Sequence, residues 1–462
     1  MKHPSFYKDK TVLVLGLAKS GQAAAQLFRE YGANVIINDK KEKKFCPEAE
    51  ALEALGIPVI CGGHPPDLIH SNIALIVKNP GIPYHVPLIQ KAIQKEIEIV
   101  TEIEVAYHIS AAPMIGITGS NGKTTTTSIV GDILSAANQM PIVAGNIGTP
   151  LCEVAKDAES NQWIVAELSS FQLKGIGQFK PKISCLLNIY ETHLDYHLNL
   201  EDYIKSKKNL FKNQTAEDIA VVNWDDEICR NIAKSIEATI LPISSKKRLE
   251  YGVYISKGNI VYKDTNGVEH SIMETQSLGV GVKHNQENAL SAAAIAIAVN
   301  IDMEVIRSVL EHFNGIEHRL EFVANKGGIE FYNDSKATNP TATNKALEAF
   351  KKNVILIAGG LDRGSDYMEL LPLFKNKIKG LVTLGETREK LNKIAELAEI
   401  KYLHSVEAYE NEKDAMNQAV SLSEKIAREG DVILLSPACA SWDMFKTFEE
   451  RGRMFKEAVH NL

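Results

Sequence analysis

Lys123 and Thr124 close the run GITGSNGKTTTT (residues 116–127), which follows the apolar Pro113, Met114 and Ile115 and precedes the apolar-periodic stretch Ser128 to Leu134. This reads as strand, glycine-rich loop and helix. Such a loop turns several backbone N–H groups toward a phosphate, and the helix N-terminus adds its dipole. In that setting Lys123 reaches β- and γ-phosphate oxygens, and the Thr124 hydroxyl can hold Mg²⁺. The strict pattern G-x-x-x-x-G-K-[ST] is not met, because Ile117 stands five residues before Gly122. Gly119 and Gly122 supply the loop's freedom instead.

Other candidates lie downstream. The buried-type strand Trp163 to Ala166 ends in Glu167, either an ordinary solvated strand end or a carboxylate beside the phosphate loop suited to Mg²⁺. Ser169, Ser170 and Gln172 follow, as helix caps or ligand contacts. In NIYETHLDYH (188–197), His193 and Asp195 sit on a loop after an apolar strand. Mg²⁺ prefers oxygen, so His193 taken alone reads as a hydrogen-bonding loop residue. A short helix from Glu201 to about Lys212 carries Lys205, Lys207 and Lys208, which composition alone leaves as a solvated basic face.

A second glycine turn follows TVLVLG (11–16). Gly16 and Gly21 occupy the outer glycine places of G-x-G-x-x-G with Ala18 between them, and Asp39 ends the next strand where an acidic residue would meet a ribose hydroxyl. Ala18 hinders close approach of a pyrophosphate to the backbone. A nucleotide-binding βαβ unit and a purely structural tight turn both fit.

The elements that must position these residues alternate from end to end. Short apolar runs and helical patterns give an α/β chain with mostly parallel sheets, and 462 residues suffice for two to four domains. Three groups emerge: residues 1–100, 101–313 and 314–462. A net charge of −7 without a basic, aromatic-interleaved stripe argues against nucleic acid. Six cysteines without C-x-x-C spacing fit a reducing compartment and argue against structural zinc. No leader-like or membrane-length apolar run is present, so a cytoplasmic enzyme is expected.

The motifs TGSNGKTT, ELSSFQL, NIYETHLDYH, HNQENALSA, EHRLE, NDSKATN and SPACASWDMF occur in this order at family-like spacing. By them the chain resembles the ATP-dependent Mur ligases, which build the peptide stem of peptidoglycan. NDSKATN and SPACASWD resemble the members that add D-glutamate to UDP-N-acetylmuramoyl-L-alanine. The resemblance covers essentially the whole chain. It implies a Rossmann-like UDP-binding domain, a central ATP- and Mg²⁺-binding domain, and a Rossmann-like C-terminal domain for the amino acid. It also implies an acyl-phosphate route, since a carboxylate must be activated before an amine attacks it.

The site residues that the resemblance implies are these. ATP would meet Gly119, Ser120, Asn121, Gly122, Lys123, Thr124 and Thr125, and also Asn285 and Asn288, which taken alone read as an N-cap and a polar surface residue. Arg319 would clamp phosphate on domain closure. Mg²⁺ would be held by Thr124, Glu167, His193 and a carbamylated Lys207, a modification that turns a cation into a carboxylate. Lys123, His193, Lys207 and Lys336 would carry the catalysis. The UDP-muramoyl-alanine site would draw on Gly16, Ala18, Lys19, Ser20, Asp39, Lys40, Asn79, Gly81, Asn146, Ser169 and Gln172. D-Glutamate would meet Lys336, Thr338, Arg363, Ser441, Trp442 and Phe448. Arg363 has two readings: a bidentate partner for the side-chain carboxylate, or an ion pair with Asp362.

The expected partners are small molecules, and a monomer is the expected state. Three alternatives compete. Another amino-acid-adding ligase, such as a folylpolyglutamate synthase, is opposed by SPACAS and the UDP-type first segment. A nicotinamide-dependent oxidoreductase leaves GSNGKTT unexplained. A P-loop motor or switch would need an ATPase independent of small substrates.

Overall fold

The structure, a computed structural model, describes residues 1–192, 196–279, 286–351 and 353–462. Contacts divide the chain into two compact units, one reaching from Met1 to Leu278 and resuming up to His312, the other comprising mainly Phe313–Leu462.

The first unit holds two sheets. β1 (Thr11–Leu15), β2 (Asn34–Asp39), β3 (Val59–Cys61), β4 (Ile73–Lys78) and β5 (Ile99–Val100) form a parallel sheet in the order β3-β2-β1-β4-β5. The second comprises β6 (Met114–Thr118), β7 (Pro141–Gly145), β8 (Trp163–Glu167), β9 (Ile183–Leu186), β10 (Ile219–Asn223), β11 (Thr239–Ser244), β12 (Gly252–Ser256), β13 (Asn259–Lys263) and β14 (Glu269–Glu274). Their order is β14-β13-β12-β11-β10-β9-β6-β8-β7. It is parallel from β7 to β12, and an antiparallel meander then extends it to β14. β6 reads MIGIT and is buried along its whole length, as a central parallel strand covered on both faces must be.

The second unit has one sheet: β15 (Glu321–Lys326), β16 (Ile329–Asn333), β17 (Val354–Ala358), β18 (Ile378–Thr383), β19 (Tyr402–Ser405) and β20 (Val432–Leu435), ordered β15-β16-β20-β17-β18-β19 with β15 alone antiparallel. Fully buried Ile355, Ile357 and Ile433 pack toward one face, and Leu356 and Leu434 toward the other.

The sequence pattern missed β7, β11, the β12–β14 meander and the β15–β16 hairpin. β7, β14 and β15 lie at sheet edges, and in β11, β13 and β16 the apolar run is interrupted or bounded by Pro, Asn, Lys or Glu. The helix expected from Glu201 to about Lys212 is an α-helix over Leu200–Lys208 with a 3₁₀ turn, Asn209–Phe211.

Helix Glu102–Ile109 joins the two sheets of the first unit, and two buried carboxylates fix it. Glu104 accepts backbone N–H groups from Gly177, Gln178 and Phe179 at 2.9, 2.7 and 2.9 Å. Glu102 accepts the N–H of Cys152, and burial pushes its carboxyl up from 4.5 to about 7. A raised folded-state value means that the folded chain holds a proton which the unfolded chain has released between those limits. The corresponding stability is full below about 4.5 and is lost as pH rises through about 7. Glu102→Gln should therefore raise the thermal midpoint at pH 8 by several degrees (about 4–8 °C per kcal/mol for small domains, less for larger ones), with little gain at pH 4. Equal gains at both pH values, followed by calorimetry, would contradict it.

Candidate functional site

The glycine loop runs from the end of β6 into helix Lys123–Ala136. Gly122 sits at φ +81°, a left-handed conformation that strains any residue with a Cβ, and an added Cβ would lie 2.3 Å from the Asn288 side-chain oxygen. Gly119 has no such φ; its requirement is space, because a Cβ would meet Leu187 at 2.8 Å. The loop is clamped from β9's extension: the Asn188 carbonyl accepts from Ser120 N–H at 2.9 Å, and its side chain accepts from Asn121 N–H at 2.9 Å. The Tyr203 hydroxyl lies 2.8 Å from Ser120 Oγ. Lys123 Nζ donates to the carbonyls of Gly119 and Ser120, both at 2.9 Å.

Of the three lysines on helix Leu200–Lys208, Lys205 and Lys208 are exposed and Lys207 is buried. Lys207 Nζ donates to Gly119 O at 2.8 Å and Thr118 Oγ1 at 3.3 Å. Desolvation, with Lys123 close by, drives its pKa well below a lysine's ordinary 10.5. Glu167, at the end of β8, is buried; Asn146 Nδ2 donates to its Oε1 at 2.8 Å, while its Oε2 has no hydrogen-bond partner among the described residues. An orphaned buried carboxylate oxygen is costly unless a cation meets it, so this oxygen, with the buried Thr124 in the first turn of the helix, fits a Mg²⁺ ligand set. Among the described residues no cluster of three His, Cys, Asp or Glu forms a metal site. His193 and Asp195 lie outside the described residues, as does Asn285. Asn288 is buried against Gly122 and lies 3.4 Å from Thr126 Oγ1, so it is no polar surface residue.

The residues expected to meet the UDP substrate surround two cavities. One, of about 950 Å³, is lined by Gly16, Ala18, Asp39, Lys40, Asn79 and Gly81, together with Phe45 and His64. The other, of about 390 Å³, is lined by Ala18, Lys19, Ser20, Asn79, Gly81, Asn146, Ser169 and Gln172, with Glu102 among its walls. Asp39 spends both oxygens on backbone: Leu17 N–H at 2.8 Å and Lys41 N–H at 2.9 Å. It thus pins the first glycine turn to the end of β2. Gly21 serves packing, since a Cβ there would lie 2.0 Å from the Gly16 carbonyl oxygen. Ser169 and Gln172 form a reciprocal capping box at helix Ser170–Leu173.

In the second unit, Lys336, Phe448 and the His318–Arg319 segment come together. Lys336 N–H donates to His318 O at 3.0 Å, and its Nζ lies 5.7 Å from the Phe448 ring centre. Arg319 is exposed and Thr338 half-buried. Asp334 is buried and hydrogen-bonded to Ser436 Oγ at 2.8 Å; burial lifts its carboxyl to about 7. Arg363, Ser441 and Trp442 form a second group, joined where Leu361 N–H meets Ala440 O at 3.0 Å. Asp362 pairs with Lys390 at 2.7 Å, which replaces the Arg363–Asp362 ion pair. The Arg363 guanidinium instead lies 4.9 Å from the ring of exposed Trp442. Buried Arg451 ties the two groups together, donating to Ser335 Oγ at 3.0 Å, Ser335 O at 2.8 Å and Cys439 O at 3.1 Å.

Sequence reasoning missed Asn188 as a clamp, Tyr203, Phe45, His64 and Arg451. Asn188 opens the motif NIYETHLDYH just past a buried strand, and a polar residue there was its signal; Tyr203, within the helix Leu200–Lys208, carried none. Arg451, within the helical pattern Phe448–His460, carried none.

The chain matches the Mur ligase MurD-like N-terminal domain over residues 10–101, the Mur ligase middle domain over 117–296 and the Mur ligase glutamate ligase domain over 318–439. It is 50% identical, over 100% of both chains, to the UDP-N-acetylmuramoylalanine–D-glutamate ligase of Geobacillus sp. (strain WCH70). It is 47% identical to the protein of that name from Listeria innocua, covering 100% of this chain and 99% of that one. Its fold is shared with a solved UDP-N-acetylmuramate–alanine ligase, MurC, from Thermotoga maritima (TM-score 0.52, 20% identity, 98% and 99% of the two chains) and with MurF from Acinetobacter baumannii (TM-score 0.55, 19% identity, 78% and 81%). Among the described residues no helix is long and apolar enough to cross a membrane. With 50% identity over its whole length and all three family domains matched in order, the chain belongs to the Mur ligase family.

Proposed function

We propose that this chain is the ATP-dependent, ADP-forming ligase that joins D-glutamate to the alanyl carboxylate of UDP-N-acetylmuramoyl-L-alanine, in cytoplasmic assembly of the peptidoglycan precursor. The name borne by full-length relatives supports the substrates. The observation that carries the chemistry is the glycine loop with Lys123 and Lys207 on one carbonyl, beside the orphaned Glu167 oxygen.

The alanyl carboxylate attacks the γ-phosphorus of ATP, ADP leaves, and an acyl phosphate forms. The amine of D-glutamate then attacks the acyl carbon. The tetrahedral intermediate loses inorganic phosphate and a proton, leaving an amide. Positioning and charge neutralisation supply most of the acceleration in such chemistry. The loop N–H groups from Gly119 to Thr125, with Lys123, would receive the phosphates. Thr124, Glu167, His193 and carbamylated Lys207 would hold Mg²⁺, whose charge would offset that of the phosphoryl oxygens. Carbon dioxide adds only to a neutral amine, and burial with Lys123 close by shifts Lys207 toward that form. The two cavities beside Asn79 and Gly81 would take the UDP-muramoyl portion. In the second unit Lys336, Thr338, Ser441 and Phe448, with Arg363 on Trp442, would hold D-glutamate, whose two carboxylates want cations and hydroxyl donors. Arg319 would contact phosphate.

The deciding experiment is phosphate release from ATP with UDP-N-acetylmuramoyl-L-alanine and, in turn, D-glutamate, L-glutamate, L-lysine and meso-diaminopimelate. Release with D-glutamate alone, with a product heavier by one glutamyl residue, is expected. Release with another amino acid would move the specificity, and none with any would overturn the reading.

Two substitutions test the residues. Lys207→Ala should lower kcat about 100-fold, with partial rescue by acetate or formate standing in for the carbamate. Full activity without added acid would remove Lys207 from the site. Arg363→Ala should raise the KM for D-glutamate about tenfold while leaving the KM for ATP unchanged. An unchanged D-glutamate KM would return Arg363 to a surface role.

A further inference from the structure

Lys78 is the last residue of β4 and is completely buried. Its Nζ donates to the carbonyl oxygens of Asn79 at 3.0 Å, Pro80 at 3.1 Å and Ile82 at 2.7 Å. The hydroxyl of Tyr196 lies 3.3 Å from that nitrogen and 3.3 Å from Ile82 O. The Tyr84 ring centre is 4.9 Å away. Among the described residues no carboxylate pairs with it, and the cation of Lys174, itself held by Asp202 at 2.5 Å, acts on it repulsively.

A buried cation without a counter-ion is expensive, and an apolar side chain of the same length would fill this space at lower cost. Here burial and Lys174 lower the pKa to about 7. An ammonium has three hydrogens, and three carbonyls of one five-residue loop each take one. What the arrangement secures is the orientation of the peptide planes between Asn79 and Ile82. Asn79 and Gly81 of that loop line both cavities. Tyr196 also packs at 4.4 Å on Phe171, a residue of the smaller cavity's wall.

We infer that Lys78 is a positioning residue for the UDP-muramoyl substrate: from beneath the loop it orients Asn79 and Gly81 between the two cavities, and Tyr196 fixes that loop against the Phe171 wall. This rests on the proposed assignment of the two cavities to that substrate.

The test uses the full chain and UDP-N-acetylmuramoyl-L-alanine, with calorimetric binding, the KM for each substrate and the thermal midpoint. Lys78→Met should weaken binding and raise the KM for the UDP substrate about tenfold, hold the KM values for ATP and D-glutamate within about twofold, and leave the midpoint equal or higher. Tyr196→Phe should act in the same direction by about threefold. Unchanged affinity in Lys78→Met, or a rise in all three KM values with a lowered midpoint, would overturn the inference alone. Should Lys78→Met fail to fold, Tyr196→Phe decides, and unchanged affinity there overturns it. If the wild-type chain does not bind UDP-N-acetylmuramoyl-L-alanine, the cavity assignment falls and takes this inference with it.

Discussion

Two lysine amines share one carbonyl oxygen, that of Gly119, at 2.9 Å for Lys123 and 2.8 Å for Lys207. Two ammonium groups this close repel strongly where water is excluded. Burial and this neighbour together lower the proton affinity of Lys207. The other features of the first unit's centre follow from holding that carbonyl in place. β6 must be buried throughout, Gly119 must be small enough to approach Leu187, and Asn188 must clamp the next two residues. A loop so fixed presents its donors without reorganising when an anion arrives, which is where electrostatic catalysis gains most.

The same device recurs away from this loop. Lys78 and Arg451, like Lys207, are buried basic side chains that hold backbone carbonyls rather than carboxylates. A carbonyl satisfies the hydrogens of a cation but leaves its net charge, so the surrounding potential stays positive. For a protein with a formal net charge of −7, this concentrates positive potential at the ends of parallel strands. Polyanionic substrates would benefit from that localisation. The desolvation cost appears in the depressed proton affinities of all three groups.

Much of the fold was legible in the sequence because buried parallel strands are continuous apolar runs. β1, β6, β8, β10, β17 and β20 have the bounds their residues suggest. β12–β14 escaped because each is short and bounded by polar residues, so none gives a long continuous apolar run. Among site residues, Lys207 was separable from Lys205 and Lys208 only by family register; burial now separates them, since helix geometry turns one lysine inward. Arg363 shows the opposite limit. Its neighbour Asp362 is the obvious partner in sequence, yet Lys390, 28 positions from Asp362, takes that role. Long-range pairing of surface charges leaves no local pattern.

The two cavities of the first unit meet at a common rim made by Ala18, Asn79 and Gly81. That rim gives medicinal chemistry a short bridge. A fragment seated in the wider chamber and another in the narrower one need only a tether across Gly81, which is exposed and carries no side chain. Joining them makes the second docking intramolecular, at an effective concentration on the order of millimolar for a short flexible tether. Two weak ligands would thereby become one strong one without any new contact, so long as the tether spares the loop beneath it.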